Sequence, residues 1–185
     1  MVTDPVGKHL PMLANMRVAA NLETPQDTVP AVRQMTVQDI LRHTSGLLYG
    51  GRGSSALHKM YPASSGSSGM SMTGPEFLAR LSSLPLAYQP GKVWDYSLSV
   101  DVVGLVVEAV GGATLGSFLR ERLWNPLGMK DTSFSIPADK HNRYARWFAN
   151  DPETGKPQTV LDLTKPLKFE CGGGCGASKI GRANV

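Results

Sequence analysis

The sequence predicts an α/β (α+β) fold in which helices dominate the first two thirds and strands are few and late. Three observations carry this. Two short segments, 36–46 and 73–84, are bracketed by helix start and stop signals. The run 98–110 is apolar at nine of thirteen positions, spread around the whole helical circumference. Segments that could pair as strands lie late, at 143–149 and 159–163, around Asp151-Pro152-Glu153-Thr154-Gly155.

Residues 1–34 are punctuated by Pro5, Pro11, Pro25 and Pro30 and read as irregular chain with short helical turns. Thr36 then offers an N-cap with Asp39 three residues on, and Gly46 stands as the stop. Residues 50–72 are dominated by Gly and Ser and are expected to form a long loop. Thr73-Gly74-Pro75-Glu76 opens a second helix whose Phe77, Leu78, Leu81 and Leu84 fall at helical spacing. Gln89-Pro90-Gly91 is a turn, followed by a short strand-like stretch at 92–96. The valine-rich run 98–110 leaves strand open by propensity, but its length, Asp101 near its start and Gly111-Gly112 at its end favour a helix buried on most sides. Gly104 inside that helix costs about 1 kcal/mol relative to Ala and so marks a close backbone contact. Thr114 caps a further helix through Phe118, Leu119, Leu123 and Trp124, stopped by Pro126 and Gly128.

Composition narrows the class. The 185 residues are 41% apolar and 18% charged, with a formal net charge of +4. That is too apolar and too weakly charged for a disordered chain, and the length suits one domain or part of a larger one. No apolar stretch approaches the ~20 residues of a membrane span. Asp4, Lys8 and His9 stand where a signal peptide would begin its apolar run, so a cytoplasmic location is the default expectation. Basic residues are spread along the chain without an aromatic-interleaved run, which argues against nucleic-acid binding. The two cysteines, Cys171 and Cys175, lack the second ligand pair of a structural zinc site and are expected as free thiols. No cofactor is expected, and the oligomeric state is open.

Several catalytic signatures are absent: G-x-S-x-G, a phosphate-binding Gly-Lys-Ser/Thr and H-E-x-x-H. Gly172-x-Gly174-x-x-Ala177 has no room for a crossover helix before Val185. His43 and Ser45 are two residues apart and cannot face each other on a helix, so they are expected to be polar groups bonding the backbone at a helix end.

Three blocks go further. Thr36-Val37-Gln38-Asp39-Ile40-Leu41-Arg42-His43-Thr44-Ser45-Gly46-Leu47 resembles the T-x-x-D-L-L-x-H-T-S-G-L segment of the serine β-lactamase-related superfamily. This group holds the class C β-lactamases, the β-lactamase-like (family VIII) esterases and relatives of penicillin-binding proteins. Tyr88-Gln89-Pro90-Gly91-Lys92-Val93-Trp94-Asp95-Tyr96-Ser97 is similar to its F-x-P-G-x-x-W-x-Y-S block, and Asn125-Pro126-Leu127-Gly128-Met129-Lys130-Asp131-Thr132-Ser133-Phe134 to its P-L-G-M-x-D-T-x-F block. Asp4-Pro5-Val6 and Phe169-Glu170-Cys171-Gly172-Gly173-Gly174 also have counterparts, so the resemblance runs in order over about residues 4–176.

The resemblance implies a β-lactamase/transpeptidase-like fold, of which this chain holds mostly the helical half. It divides residues 1–185 into an irregular segment 1–34, a helical region 35–134, a strand and loop region 135–176 and a divergent tail 177–185. It implies serine-dependent hydrolysis of a small ester or β-lactam through an acyl-enzyme. By position Tyr96 is the family's proton-shuttling tyrosine, and Leu98 replaces the asparagine of the lactamases, a departure toward the esterase branch. The site lies just before the predicted long helix, whose positive end favours a phenolate by ~0.3–1 kcal/mol if exposed; the family's lysine would have to supply most of the rest. That lysine belongs to the nucleophile's S-x-x-K, which this sequence lacks: Ser55 and Lys59 are one residue too far apart. The expectation is therefore a fragment that begins after the nucleophile, ends before the third motif and is inactive alone, its 175–185 tail diverging as a frameshift, truncation or fusion scar would. The alternative is a non-catalytic binding module that retains the helical scaffold.

Overall fold

The computed structural model describes residues 1–144, 150, 153–157 and 162–173. The N-terminal segment is more ordered than its prolines predict. Short 3-10 turns at Val6–Lys8 and Pro11–Leu13 lead into an antiparallel hairpin of β1 (Arg17–Ala19) and β2 (Thr28–Pro30), with Val18 opposite Val29. Among the described residues this is the sheet, an early pair of strands that the sequence did not predict. Each strand has only three residues, too few for alternation to be read locally. The far edge of β1 is completed from a distance, Leu86 N donating to Arg17 O at 2.7 Å and Ala19 N to Leu86 O at 2.8 Å.

Helix α1 (Val37–Leu41) starts as expected, with Thr36 and Asp39 forming a reciprocal capping box. It stops five residues short of Gly46 because His43 takes a left-handed backbone, φ 55°. Gly46 has another task. At φ 86° it lets the chain pass under the Tyr88 carbonyl, where a Cβ would lie 2.2 Å from the oxygen.

The Gly/Ser stretch expected as a loop is largely short helices: a 3-10 turn at Gly50–Arg52, α2 (Ala56–Met60) and α3 (Ser65–Ser71). Serine does here what composition obscures. Ser55 and Ser64 cap α2 and α3, while Ser68 and Ser71 hydroxyls donate back to the carbonyls of Ser64 and Ser67.

Helix α4 (Gly74–Ser82) has the predicted Thr73–Glu76 box and buries Phe77, Leu78 and Leu81. Residues 92–96, read as strand-like, form no strand: Lys92 N closes a turn on Gln89 O at 3.1 Å and Asp95 N donates to His43 O at 3.0 Å. The valine-rich run is a helix, α5 (Ser99–Gly111), ended by Gly112 at φ 66°. It packs on α1 and is buried over its first two turns, but its last turn is exposed, Val110 at 67%. Gly104 does mark a close approach: a Cβ there would lie 3.2 Å from Gly172 N and 3.0 Å from Leu115 Cδ2.

Thr114 caps α6 (Leu115–Leu119), which runs on as a π-helical turn over Arg120–Trp124. Glu108 and Glu170 accept the first amides of α6, from Leu115 at 2.8 Å and Gly116 at 2.6 Å. The strand pair expected at 143–149 and 159–163 falls mainly outside the described residues, as does the 177–185 tail; one bridge, Asn150 to Pro157, is described. Cys171 is fully buried and disulfide-bonded, not the free thiol expected. Cys175, the sequence's only other cysteine, lies outside the described residues. Glycines at 172 and 173 let this tract press on the start of α5, a proximity that spacing alone does not reveal.

Val6, Leu13, Ile40, Leu47, Phe77 and Val102 meet in one core that joins the N-terminal turns to α1, α4 and α5. Among the described residues no single helix is long and apolar enough to cross a membrane. Gly46→Ala combines left-handed strain with a backbone collision. It should lower the unfolding free energy by about 2–4 kcal/mol, read from urea denaturation against the parent chain.

Candidate active site

Two of the sequence blocks cross in space. The segment after α1 is stapled to the segment before α5 by backbone hydrogen bonds: Ala87 N to Gly46 O at 2.7 Å, Gly91 N to Thr44 O at 2.7 Å and Leu98 N to Leu48 O at 3.3 Å. A line of buried side chains runs between them. His43 Nδ1 accepts the Ser97 backbone N–H at 3.1 Å and lies 3.2 Å from Ser97 Oγ. Ser97 Oγ is 2.7 Å from Ser99 Oγ, which is 2.8 Å from Ser45 Oγ, and Ser45 Oγ accepts Leu47 N–H at 3.1 Å.

His43 and Ser45 therefore bond the backbone, as expected, but they are also linked through Ser97 and Ser99. That link arises because His43 has left the helix. A nitrogen that accepts an N–H carries no proton, so the imidazole is neutral with its proton on Nε2. Burial pulls the His43 pKa below its ordinary value, against a smaller opposing pull from Asp95.

Asp39 anchors the near side. Both terminal nitrogens of Arg33 grip its carboxylate, and Thr36 N–H, Thr36 Oγ1 and Thr44 Oγ1 add to the set. Burial pushes this carboxyl up, but the hydrogen bonds from Arg33 and Thr36 outweigh it and hold it below the usual carboxylate range.

Tyr96 is half-buried and stands three residues ahead of α5. Its ring stacks on His43, with centroids 4.7 Å apart and planes 29° from parallel. Tyr49 lies tilted at 5.7 Å and the Arg52 guanidinium sits over the ring, 4.9 Å from its centroid. The contacts described for Tyr96 are thus made by the ring, and its phenol oxygen makes no hydrogen bond among the described residues. Tyr49 is itself held: its oxygen accepts Ser65 N–H at 3.1 Å, while Ser65 Oγ donates to Asp101 at 2.6 Å and Gly173 N–H to the same carboxylate at 2.8 Å. Burial raises the Asp101 pKa, opposed by these hydrogen bonds.

Neither Tyr49 nor Arg52 stood out in the sequence. The nearest signal was that Tyr49 follows Gly46-Leu47-Leu48 directly, whereas Arg52 reaches Tyr96 only because Gly50 and Gly51 press their turn onto the carbonyls of Tyr61 and Ala63. Leu98 is fully buried at the start of α5 and belongs to the core. Ser55 caps α2 and its hydroxyl lies 2.7 Å from His58 Nδ1. Among the described residues no three His, Cys, Asp or Glu side chains cluster to hold a metal. A separate groove of about 370 Å³, lined in part by Met16, Arg17, Arg33 and Met35, shares none of the residues around Tyr96.

A helical layer carrying these crossed blocks defines the class as β-lactamase/transpeptidase-like. Residues 2–178 match the Beta-lactamase family, and the chain belongs to it. It is similar to Protein Rv1367c of Mycobacterium tuberculosis, 34% identical over 175 residues, covering 92% of this chain and 43% of that protein. It is also similar to Esterase EstB of Burkholderia gladioli, 32% identical over 133 residues, covering 71% of this chain and 34% of the esterase. Among solved structures it resembles EstCE1, a hydrolase with promiscuous acyltransferase activity, with a TM-score of 0.70 at 23% identity over 95% of this chain and 48% of that one, a likeness of fold alone. The chain thus spans less than half the length of these relatives.

Two outcomes test the packing of the site. Leu98→Asn places an amide in the core and should cost about 2–5 kcal/mol, measured by thermal unfolding. Asp39→Asn should cost about 2 kcal/mol at neutral pH. Because the Asp39 pKa is depressed on folding, its contribution is complete above the unfolded carboxylate value and is lost as pH falls through the folded one. The gap between parent and Asp39→Asn should therefore close on acidification, read from unfolding midpoints between pH 7 and 3.

Proposed function

We propose that this chain is the helical portion of a serine hydrolase that cleaves small esters through an acyl-enzyme, with Tyr96 relaying the proton. The observation that carries the reading is the setting of Tyr96. It stands at the entry to α5 in the family's Tyr-Ser block, its ring held by His43, Tyr49 and Arg52 and its oxygen free of protein hydrogen bonds among the described residues.

In such a reaction the serine of an S-x-x-K segment attacks the ester carbonyl. Its proton passes through the phenolate to the departing alkoxide, and water then releases the acid. The ester preference is supported by Leu98, an apolar core side chain at the position where the resemblance places the lactamases' asparagine. The names of the esterase relatives, EstB and the lovastatin esterase of Penicillium rubens, point the same way. The nucleophile is not among these residues, so the chain by itself turns nothing over.

The purified chain should show no labelling by a fluorophosphonate probe and no hydrolysis of chromogenic esters or cephalosporins. In a longer chain that carries the S-x-x-K segment, Tyr96→Phe should lower kcat for an activated ester by about 10²–10⁴-fold. Turnover that survives this substitution unchanged would remove Tyr96 from the mechanism.

A further inference from the structure

We infer that His43 is the positioning residue for Tyr96, holding the phenol in place through its neutral, Nε2-protonated imidazole. The inference rests on the reading of Tyr96 as the proton relay and adds what aims it.

Two independent contacts converge on one ring. The face of the imidazole stacks on Tyr96 at 4.7 Å, and its Nδ1 accepts the N–H of Ser97, the next residue, at 3.1 Å. The first contact sets the tilt of the phenol ring and the second pins the backbone that carries it. The imidazole is fixed in turn. Its left-handed backbone, φ 55°, turns the side chain away from α1, and its own carbonyl accepts Asp95 N–H at 3.0 Å. Ser97 is tied onward through Ser99 to Ser45, hydroxyl to hydroxyl. A left-handed backbone is uncommon outside glycine, asparagine, aspartate and histidine, and histidine alone among these also offers a stacking ring and an acceptor.

The second contact depends on protonation state. A proton on Nδ1 replaces the acceptor lone pair with a donor that faces the Ser97 N–H, so the imidazolium cannot keep this bond. The charged group acting on the ring is Asp95, which favours the imidazolium; the Arg52 guanidinium lies over the Tyr96 ring, and Tyr96 and the edge of Trp94, 6.4 Å away, complete the surroundings. Burial also favours the neutral ring.

The test needs no catalysis and uses the chain as it stands. Nitrogen-15 and proton NMR across pH 4–8 should show His43 as the Nε2–H tautomer, titrating below the ordinary histidine value of 6.5. The Tyr96 ring signals and the Ser97 amide should move with that same midpoint. In His43→Asn, whose amide oxygen can accept the Ser97 N–H from a left-handed backbone, those signals should lose the pH dependence while the Ser97 amide stays protected. In His43→Phe, which keeps a ring but no acceptor, Ser97 amide exchange should accelerate by about tenfold or more. An Nδ1–H tautomer, or Tyr96 and Ser97 signals that ignore the His43 titration in the parent chain, overturns the inference. Because none of these readouts requires turnover, failure of the proton-relay reading alone would leave them unchanged.

Discussion

The structure around the candidate site depends on one buried polar line, His43 to Ser97 to Ser99 to Ser45, closed by the Leu47 amide. Three of its hydroxyls are all but inaccessible to water. A buried hydroxyl without a partner costs about 1–3 kcal/mol, whereas each bond made is worth only about 1 kcal/mol net. The line therefore acts more by excluding alternatives than by adding stability. A shift in the packing of the two crossing segments would strand several groups at once. That penalty locks the register in which Tyr96 stands at the entry to α5.

The same logic recurs on either side. Asp39 is surrounded by Arg33, Thr36 and Thr44, and Asp101 by Ser65 and the Gly173 amide. Asp39 ties together residues within six positions of itself and Asp101 joins segments far apart in the chain, and each lies at the start of a helix, where negative charge is favoured. Short helices such as α1 and α2, five residues each, cannot persist by local propensity. Their caps and these buried polar anchors, set into the apolar core, hold them.

Tyr96 lies between two kinds of support. His43 and the serine line fix it from within, and Tyr49 with Arg52 covers it from the Gly/Ser segment. The second support is built from the residues that composition marked as loop. Gly50 and Gly51 approach the carbonyls of Tyr61 and Ala63 too closely for any side chain, and that contact carries Arg52 over the phenol.

Sequence by itself determined the helices whose ends are written in local chemistry: the Thr36–Asp39 and Thr73–Glu76 boxes, the Thr114 cap and the Gly112 stop after a valine-rich run. It also determined the family blocks and Tyr96 within them, because these are contiguous strings. Tertiary structure decided the rest, for a physical reason in each case. The three-residue strands exist only through their partners, Leu86 among them. The serine-rich segment is helical, with hydroxyls serving as caps and as partners of carbonyls one turn back. His43 left its helix for a ring and an amide some fifty residues away in the chain, a choice no window around residue 43 contains.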